Sequence, residues 1–256
     1  MDCAVLAGGR PKPEDPIYEL TQGRAKAFIP MGSRTMLERV VDALEDAQCV
    51  DDVLIVGLTE EEAEGLTFHR PVSFSPDHGS LVANARAGLN WGATHRPGAT
   101  EMLLVSSDIP LITGKIVDEH VDACRPFDYL GYYTLVTRET MEKRFPHSNR
   151  TFVKLKDAEI AGGDLSVLQL RILETGDDLW EALTNARKHA WQLARIVGLP
   201  FLIKFLFRRI GTADIEATAQ RMLGSPVKVI FSPHAETAMD ADKPHQVLLL
   251  QQEFNR

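Results

Sequence analysis

Three short segments hold side chains that could act on a phosphoryl group. The first is Leu6-Ala7-Gly8-Gly9-Arg10, where an apolar run stops at a glycine pair. Glycines let backbone amides close on a polyphosphate. The loop that follows adds the cations Lys12, Arg24 and Lys26 to Arg10. A positioned cation neutralises the charge that builds as a phosphoryl group transfers. A plain strand-to-loop turn with a solvated basic loop would carry the same residues. Lys26 stands apart, because Ala25, Ala27, Phe28 and Ile29 flank it and should fix its position. The second segment is Ser106-Ser107-Asp108-Ile109-Pro110-Leu111. An aspartate at the carboxyl end of a strand can hold a magnesium ion, and it can equally cap a turn before proline. The third is Asp240-Ala241-Asp242-Lys243-Pro244. It offers a second carboxylate to the same ion, or an N-cap for a closing helix.

Other chemistries lack their signatures. No G-x-G-x-x-G or G-K-[ST] follows the glycines, and no G-x-S-x-G elbow appears. The eight histidines show no H-E-x-x-H spacing. Cys3, Cys49 and Cys124 are too far apart in sequence for a zinc or redox pair, and they read as buried apolar groups in a reducing compartment.

These segments need a frame to bring them together. Residues 2–7 read as a buried strand, followed by a polar loop to about Gln22. A helix is expected over Thr35 to Asp46, from the spacing of Met36, Leu37, Val40, Val41 and Leu44. Strands are expected within 51–58, 69–76, 101–112 and 127–136, the third ending in a polar turn, and helices within 79–92 and 112–125. This alternation predicts an α/β fold: a mostly parallel, Rossmann-like sheet with helices on both faces. Ligands of such sheets sit beyond the strand carboxyl ends, where the loops after residues 7 and 107 would meet. Residues 151–168 alternate like a hairpin, with a break at Gly162-Gly163. Residues 177–224 read as a C-terminal helical insertion, before a strand at 225–231 and a helix at 242–254. The expected organisation is one catalytic domain, 1–176 with 225–256, carrying that insertion.

The chain has 256 residues and a net charge of −8. That length buries a core without disulfides or metal staples. An acidic balance argues against nucleic acid as a partner. The N-terminus lacks a basic region followed by a long apolar run, so a soluble cytoplasmic protein is expected. The apolar helix in 199–210, with Lys204, Arg208 and Arg209, reads as a core or subunit-contact helix, which would suit a homodimer. A membrane-touching lid is the less favoured reading of it.

The segments, taken in order, resemble the MobA-like NTP transferases, the nucleotidyltransferase family that includes molybdenum-cofactor and sugar-phosphate nucleotidyltransferases. The likeness rests on LAGG with a basic loop, Lys26-Ala27-Phe28-Ile29-Pro30-Met31-Gly32, TMLERVVDAL, GSLVANARAGL, SDIPLIT and DADKP. It implies a GT-A-type sheet and transfer of NMP from an NTP to a phosphorylated small-molecule acceptor, with loss of pyrophosphate. By that resemblance, Leu6, Ala7, Gly8, Gly9 and Ser107 lie against the nucleotide, and Ser80 and Asn84 lie near its base or ribose. Lys26 neutralises phosphate charge, with Arg10, Lys12 or Arg24 in place of the usual loop arginine, and Asp108 and Asp242 hold Mg2+. Gly162, Gly163 and Asp164 resemble a Gly-Gly-Asn acceptor segment, with Asp164 in place of the usual Asn and Lys154 nearby. The loop departs from the family pattern at Arg10-Pro11-Lys12-Pro13, where a glycine and an arginine are usual. A nucleotide-sugar glycosyltransferase, which often carries an Asp-x-Asp motif, and a non-catalytic nucleotide binder are the alternatives. Asp108→Ala is expected to abolish pyrophosphate release from an NTP. Full activity in that variant would remove Asp108 from the metal site.

Overall fold

The computed structural model describes residues 1–176, 180, 201, 204 and 209–255. The central sheet is built around β1 (Cys3–Leu6), which pairs in parallel with β4 (Val53–Val56) and β6 (Glu101–Ser106). β5 (Ser73–Ser75) adds in parallel to β4. On the other side β9 (Glu159–Gln169) runs antiparallel between β6 and β7 (Gly131–Thr137), and β10 (Val227–Phe231) closes the edge in parallel with β7. The order is β10-β7-β9-β6-β1-β4-β5, with β8 (Val153–Lys154) paired to β9. After the one-turn helix α1 (Tyr18–Thr21), the short strands β2 (Pro30–Met31) and β3 (Arg34–Thr35) form a separate ribbon.

The strands are apolar on both faces because helices cover both. In β1, Cys3 and Val5 pack with α2 (Met36–Asp46) and α4 (Gly114–Ala123), through Leu37, Val40, Leu44, Val117 and Val121. Ala4 points the other way, with Leu54, Val56 and Leu104, toward Leu89 of α3 (Leu81–His95). α2 starts at a capping box between Thr35 and Glu38, and Ser80 and Thr113 cap α3 and α4. A third cluster joins Ile29 and Met31 to Met141 of α5 (Arg138–Arg144), Ala238, Met239, and Val247 and Leu250 of α7 (Pro244–Phe254). It fastens the segment after Lys26 to the segment around Asp242.

Two expectations change. Gly162-Gly163 does not break the hairpin; it lies inside the continuous strand β9, and the turn falls at residues 155–158. Gly162 pairs with Leu135 of β7 opposite a register shift between Tyr133 and Leu135, and pairing before and after the glycines, to β8 and to β6, keeps the strand continuous. α5, capped by Thr137, follows β7 and escaped the sequence pattern because it is short and charged. Of the expected insertion, α6 (Thr212–Leu223) packs on β10, and Trp180 and Ile210 are buried. The helices expected over 177–210 lie mostly outside the described residues. Lys204, which is described, pairs with Asp214 at 2.6 Å. Among the described residues, no helix is long and apolar enough to cross a membrane.

His120 of α4 is buried beneath the sheet, 3.4 Å from the Thr134 hydroxyl and 3.9 Å from Cys124 Sγ. Burial lowers its pKa to about 4. The unfolded chain takes up this proton near pH 6.5, whereas the native state refuses it until about pH 4. Stability linked to His120 is therefore complete above pH 6.5 and lost as pH falls through that window. His120→Leu should reduce the loss between pH 7 and pH 4.5 by about 2 kcal/mol. Urea unfolding at the two pH values measures it, and an unchanged loss would mean that His120 is protonated in the fold.

Candidate active site

The carboxyl ends of β4, β1 and β6 lie side by side, and three loops leave them together. Ala7 N–H donates to Val56 O at 2.7 Å, and Ser107 N–H to Leu6 O at 3.1 Å. The backbone packs tightly there. Gly57 has φ +109°, and a Cβ on it would lie 2.2 Å from Gly8 N. A Cβ on Gly8 would meet Asn84 Nδ2 at 2.6 Å and Asp77 Oδ1 at 2.9 Å. Asn84 is buried on α3, donates to Asp77 at 2.8 Å and accepts from His78 N–H at 2.7 Å. Ser80 accepts from Ala83 N–H as the helix cap. Gly8, Ser80 and Asn84 thus gather at one wall.

Lys26 forms the opposite wall. It starts a 3-10 turn, Lys26–Phe28, and its N–H donates to Gly9 O at 3.0 Å. Its ammonium donates to Asp108 Oδ2 and, at 2.7 Å, to Asp242 Oδ1. Ser106 Oγ donates to the other Asp108 oxygen at 2.5 Å. Ala241 N–H donates to Asp108 O at 3.2 Å, which stitches the two acidic segments together. The Asp108 side chain is 10% exposed and that of Asp242 58%, so the site opens on the Asp242 side. Burial works against charge on Lys26 and Asp108, but each outweighs it for the other. Asp108 is held below the usual carboxylate range, and Lys26, helped also by Asp242, above the usual ammonium value.

Neither acidic segment uses its aspartate side chain as a helix cap. The N-cap of α7 is Lys243, with Pro244 in the first turn, so Asp242 is free to face the site. Asp108 turns to Ser106 and Lys26.

A second layer lies beside these residues, and of its members Arg150 had no signal in the sequence. Arg150 pairs with Asp240 and donates from Nη2 to Gly162 O at 3.3 Å. Asp164, two residues on, is half-buried. Asp164 Oδ2, Asp240 Oδ1 and Arg150 Nε are buried without a hydrogen-bond partner. Burial and the neighbouring acids push Asp240 to about 6 despite Arg150, and Asp164 well above its usual value. Four carboxylates, Asp108, Asp164, Asp240 and Asp242, face two cations, Lys26 and Arg150. The surplus of negative charge and the two carboxylates converging on one point fit a divalent ion, which uses one or two carboxylates plus substrate phosphates. Two other acid–histidine groups, Asp2–Asp52–His95 and Asp42–Glu45–His69, are already neutralised by Arg96 and Arg34.

The remaining expected residues have other partners. Arg10 donates to Gly57 O at 3.1 Å and pairs with Glu62. Arg24 lies over the Phe28 ring at 4.7 Å. Lys154 is exposed and 3.6 Å from Glu159. Asp240 was visible as the first letter of DADKP, whereas Arg150 sits in no motif. Gly57 had a signal, since it ends an apolar run as Gly8 does.

The sequence model of the MobA-like NTP transferase domain matches residues 3–198. The chain belongs to that family. Molybdenum cofactor guanylyltransferases from two strains of Rhodopseudomonas palustris, HaA2 and BisB5, are 33% identical to it over 115 and 117 residues. These stretches cover 44% and 45% of this chain and 49% and 51% of the relatives. The chain thus spans about half the length of the curated relatives it matches. A solved structure described as a hypothetical transferase from Thermus thermophilus superposes with a TM-score of 0.81 at 30% identity, over 96% of this chain and 98% of that one. The 4-diphosphocytidyl-2C-methyl-D-erythritol synthase of Anaerococcus prevotii shares the fold, with a TM-score of 0.59 at 11% identity over 100% and 96% of the two chains. In this MobA-like chain the glycine turn depends on Gly57. Gly57→Ala combines a disfavoured φ with a backbone clash and should cost at least about 3 kcal/mol. A thermal melt should show a Tm lower by roughly 6–12 °C. An unshifted melt would show that the turn can relax around a side chain.

Proposed function

We propose that this protein transfers NMP from an NTP to a phosphorylated small-molecule acceptor and releases pyrophosphate, in a Mg2+-dependent reaction. The observation that carries this reading is Lys26, whose side chain links the Gly8–Gly9 turn to the Asp108–Asp242 pair. The amides of Gly8 and Gly9, with Leu6, Ala7 and Ser107 around them, hold the phosphates. Ser80 and Asn84 lie on the base and ribose side. Asp108 and Asp242 hold the Mg2+, which when bound neutralises phosphate charge and orients the leaving pyrophosphate. Gly162, Gly163 and Asp164 line the acceptor side, with Lys154 at its rim. Arg10 and Arg24 lie on the loop that flanks the phosphates.

The chemistry requires little beyond positioning. An acceptor phosphate oxygen attacks the α-phosphorus in line, and the bond to the bridging oxygen of the β-phosphate breaks. The nucleophile is already ionised, so no side chain has to take a proton. Lys26 donates to the α-phosphate oxygens as charge builds on them. The nucleotide-sugar alternative, which would put both acids of DAD on one ion, has less support. Asp240 is turned to Arg150 and Asp242 to Lys26, so the two acids of DAD do not share one cation. The acceptor is a sugar, polyol or pterin phosphate, and the catalytic domain is 1–176 with 225–256.

The test is incubation with each NTP, Mg2+ and a panel of sugar, polyol and pterin phosphates. One NTP–acceptor pair should release pyrophosphate, and Lys26→Ala should lower its kcat by about 10²–10³-fold. Binding of NTPs without turnover on any acceptor would overturn the enzymatic reading. Loss of sugar from a nucleotide sugar would replace it with the glycosyltransferase.

A further inference from the structure

The Lys26 side chain serves two neighbours. Its stem lies along Gly9, where a Cβ would stand 3.4 Å from Lys26 Cε. Its ammonium caps the carboxylate pair, on Asp108 Oδ2 and 2.7 Å from Asp242 Oδ1. The remaining Asp108 oxygen accepts from Ser106. A divalent ion bound by Asp108 and Asp242 would need the same oxygen lone pairs that now face the ammonium. The two cations therefore compete. The other cations named here have partners elsewhere: Arg10 is held by Glu62, Arg24 by Phe28 and Arg150 by Asp240.

We propose that Lys26 is an exchangeable counter-ion. It closes the Asp108–Asp242 pair in the nucleotide-free protein and moves to the Gly8–Gly9 turn when a triphosphate arrives, so that divalent-ion binding is coupled to nucleotide binding. The proposal rests on the nucleotidyltransferase reading only for the identity of the anion. The physical reason is charge. A divalent ion that displaces Lys26 without an anion present leaves a mostly buried ammonium unpaired, which is costly. With a triphosphate at the glycine turn, both cations have oxygen partners. The path is short, because the lysine stem already runs beside Gly9. Coupling of this kind is reciprocal, so the ion should tighten nucleotide binding as much as the nucleotide tightens ion binding.

The experiment is a Mn2+ titration of the full chain without nucleotide, followed by electron paramagnetic resonance. Lys26→Met keeps the stem and removes the charge. It should bind Mn2+ at least about tenfold more tightly than the wild type. Lys26→Arg should stay as weak as the wild type, and Asp242→Asn added to Lys26→Met should abolish the gain. Circular dichroism checks the fold, and Lys26→Gln makes the same test should Lys26→Met not fold. Unchanged or weaker Mn2+ binding in folded Lys26→Met would overturn the exchange. The two readings fail separately. A gain in Mn2+ affinity with no pyrophosphate released from any NTP keeps the exchange and removes the enzyme. Normal release with no gain does the reverse.

Discussion

The ammonium of Lys26, held between Asp108 and Asp242, is the contact on which the site depends. Its partners lie 82 and 216 residues away in sequence. The three residues come from separate parts of the fold: Lys26 from a 3-10 turn after the first loop, Asp108 from the end of β6, and Asp242 from the lead into α7. Lys26 and Asp108 are mostly buried, and neither charge can stand alone there, because an unpaired buried charge is more costly than the pair is favourable; Asp242 joins them from the open side. The sheet order serves this contact. β1 and β6 are parallel neighbours, so their carboxyl ends bring Gly8 and Asp108 to one edge. The cluster of Met31, Ala238, Met239 and Val247 then draws the late acidic segment against it.

Around that contact the protein concentrates negative charge, although the ligands of its family are themselves anions. Asp164 and Asp240 add to Asp108 and Asp242, while Arg150 offsets only part of them. Both added acids are pushed toward their protonated forms. On the proposed reading, phosphates would enter such a site only together with cations, which makes the arrangement of positive charge the controlling variable. The net charge of −8 is therefore compatible with polyphosphate binding, because a few placed cations decide it rather than the total.

The glycine wall obeys a steric constraint instead of an electrostatic one. Gly8, Gly57 and Asn84 meet at distances that leave no room for a Cβ. Backbone amides at the mouth of β1 stay accessible because the loop beside them is also glycine. Asn84 fixes the loop at Asp77 and His78 from below. Close approach here is a property of three strands and a helix together, not of one motif.

Much of this was legible in the amino-acid order. The strands around β1 announce themselves by short apolar runs, and α2 by its helical period, because those patterns are what burial on two faces or one face requires. Lys26, Asp108 and Asp242 stood out since each sits in a turn bordered by apolar anchors or proline. Gly162-Gly163 misled, because local glycine chemistry favours a break while ladder pairing to β7, and to β8 and β6 on either side of the glycines along the chain, overrides it. Arg150 carried no signal, since a lone arginine in a polar loop looks solvated until Asp240 and the Gly162 carbonyl are brought to it. The sequence by itself determined the alternation of elements and the types of residue available at the strand ends, for these follow from local pattern. Only the tertiary structure decided which cation faces which acid: Lys26 and Arg150 inward, Arg10 and Arg24 onto other partners. Pairing of charges is a matter of distance in space, and residues 26, 108, 150 and 242 have no relation along the chain that could express it.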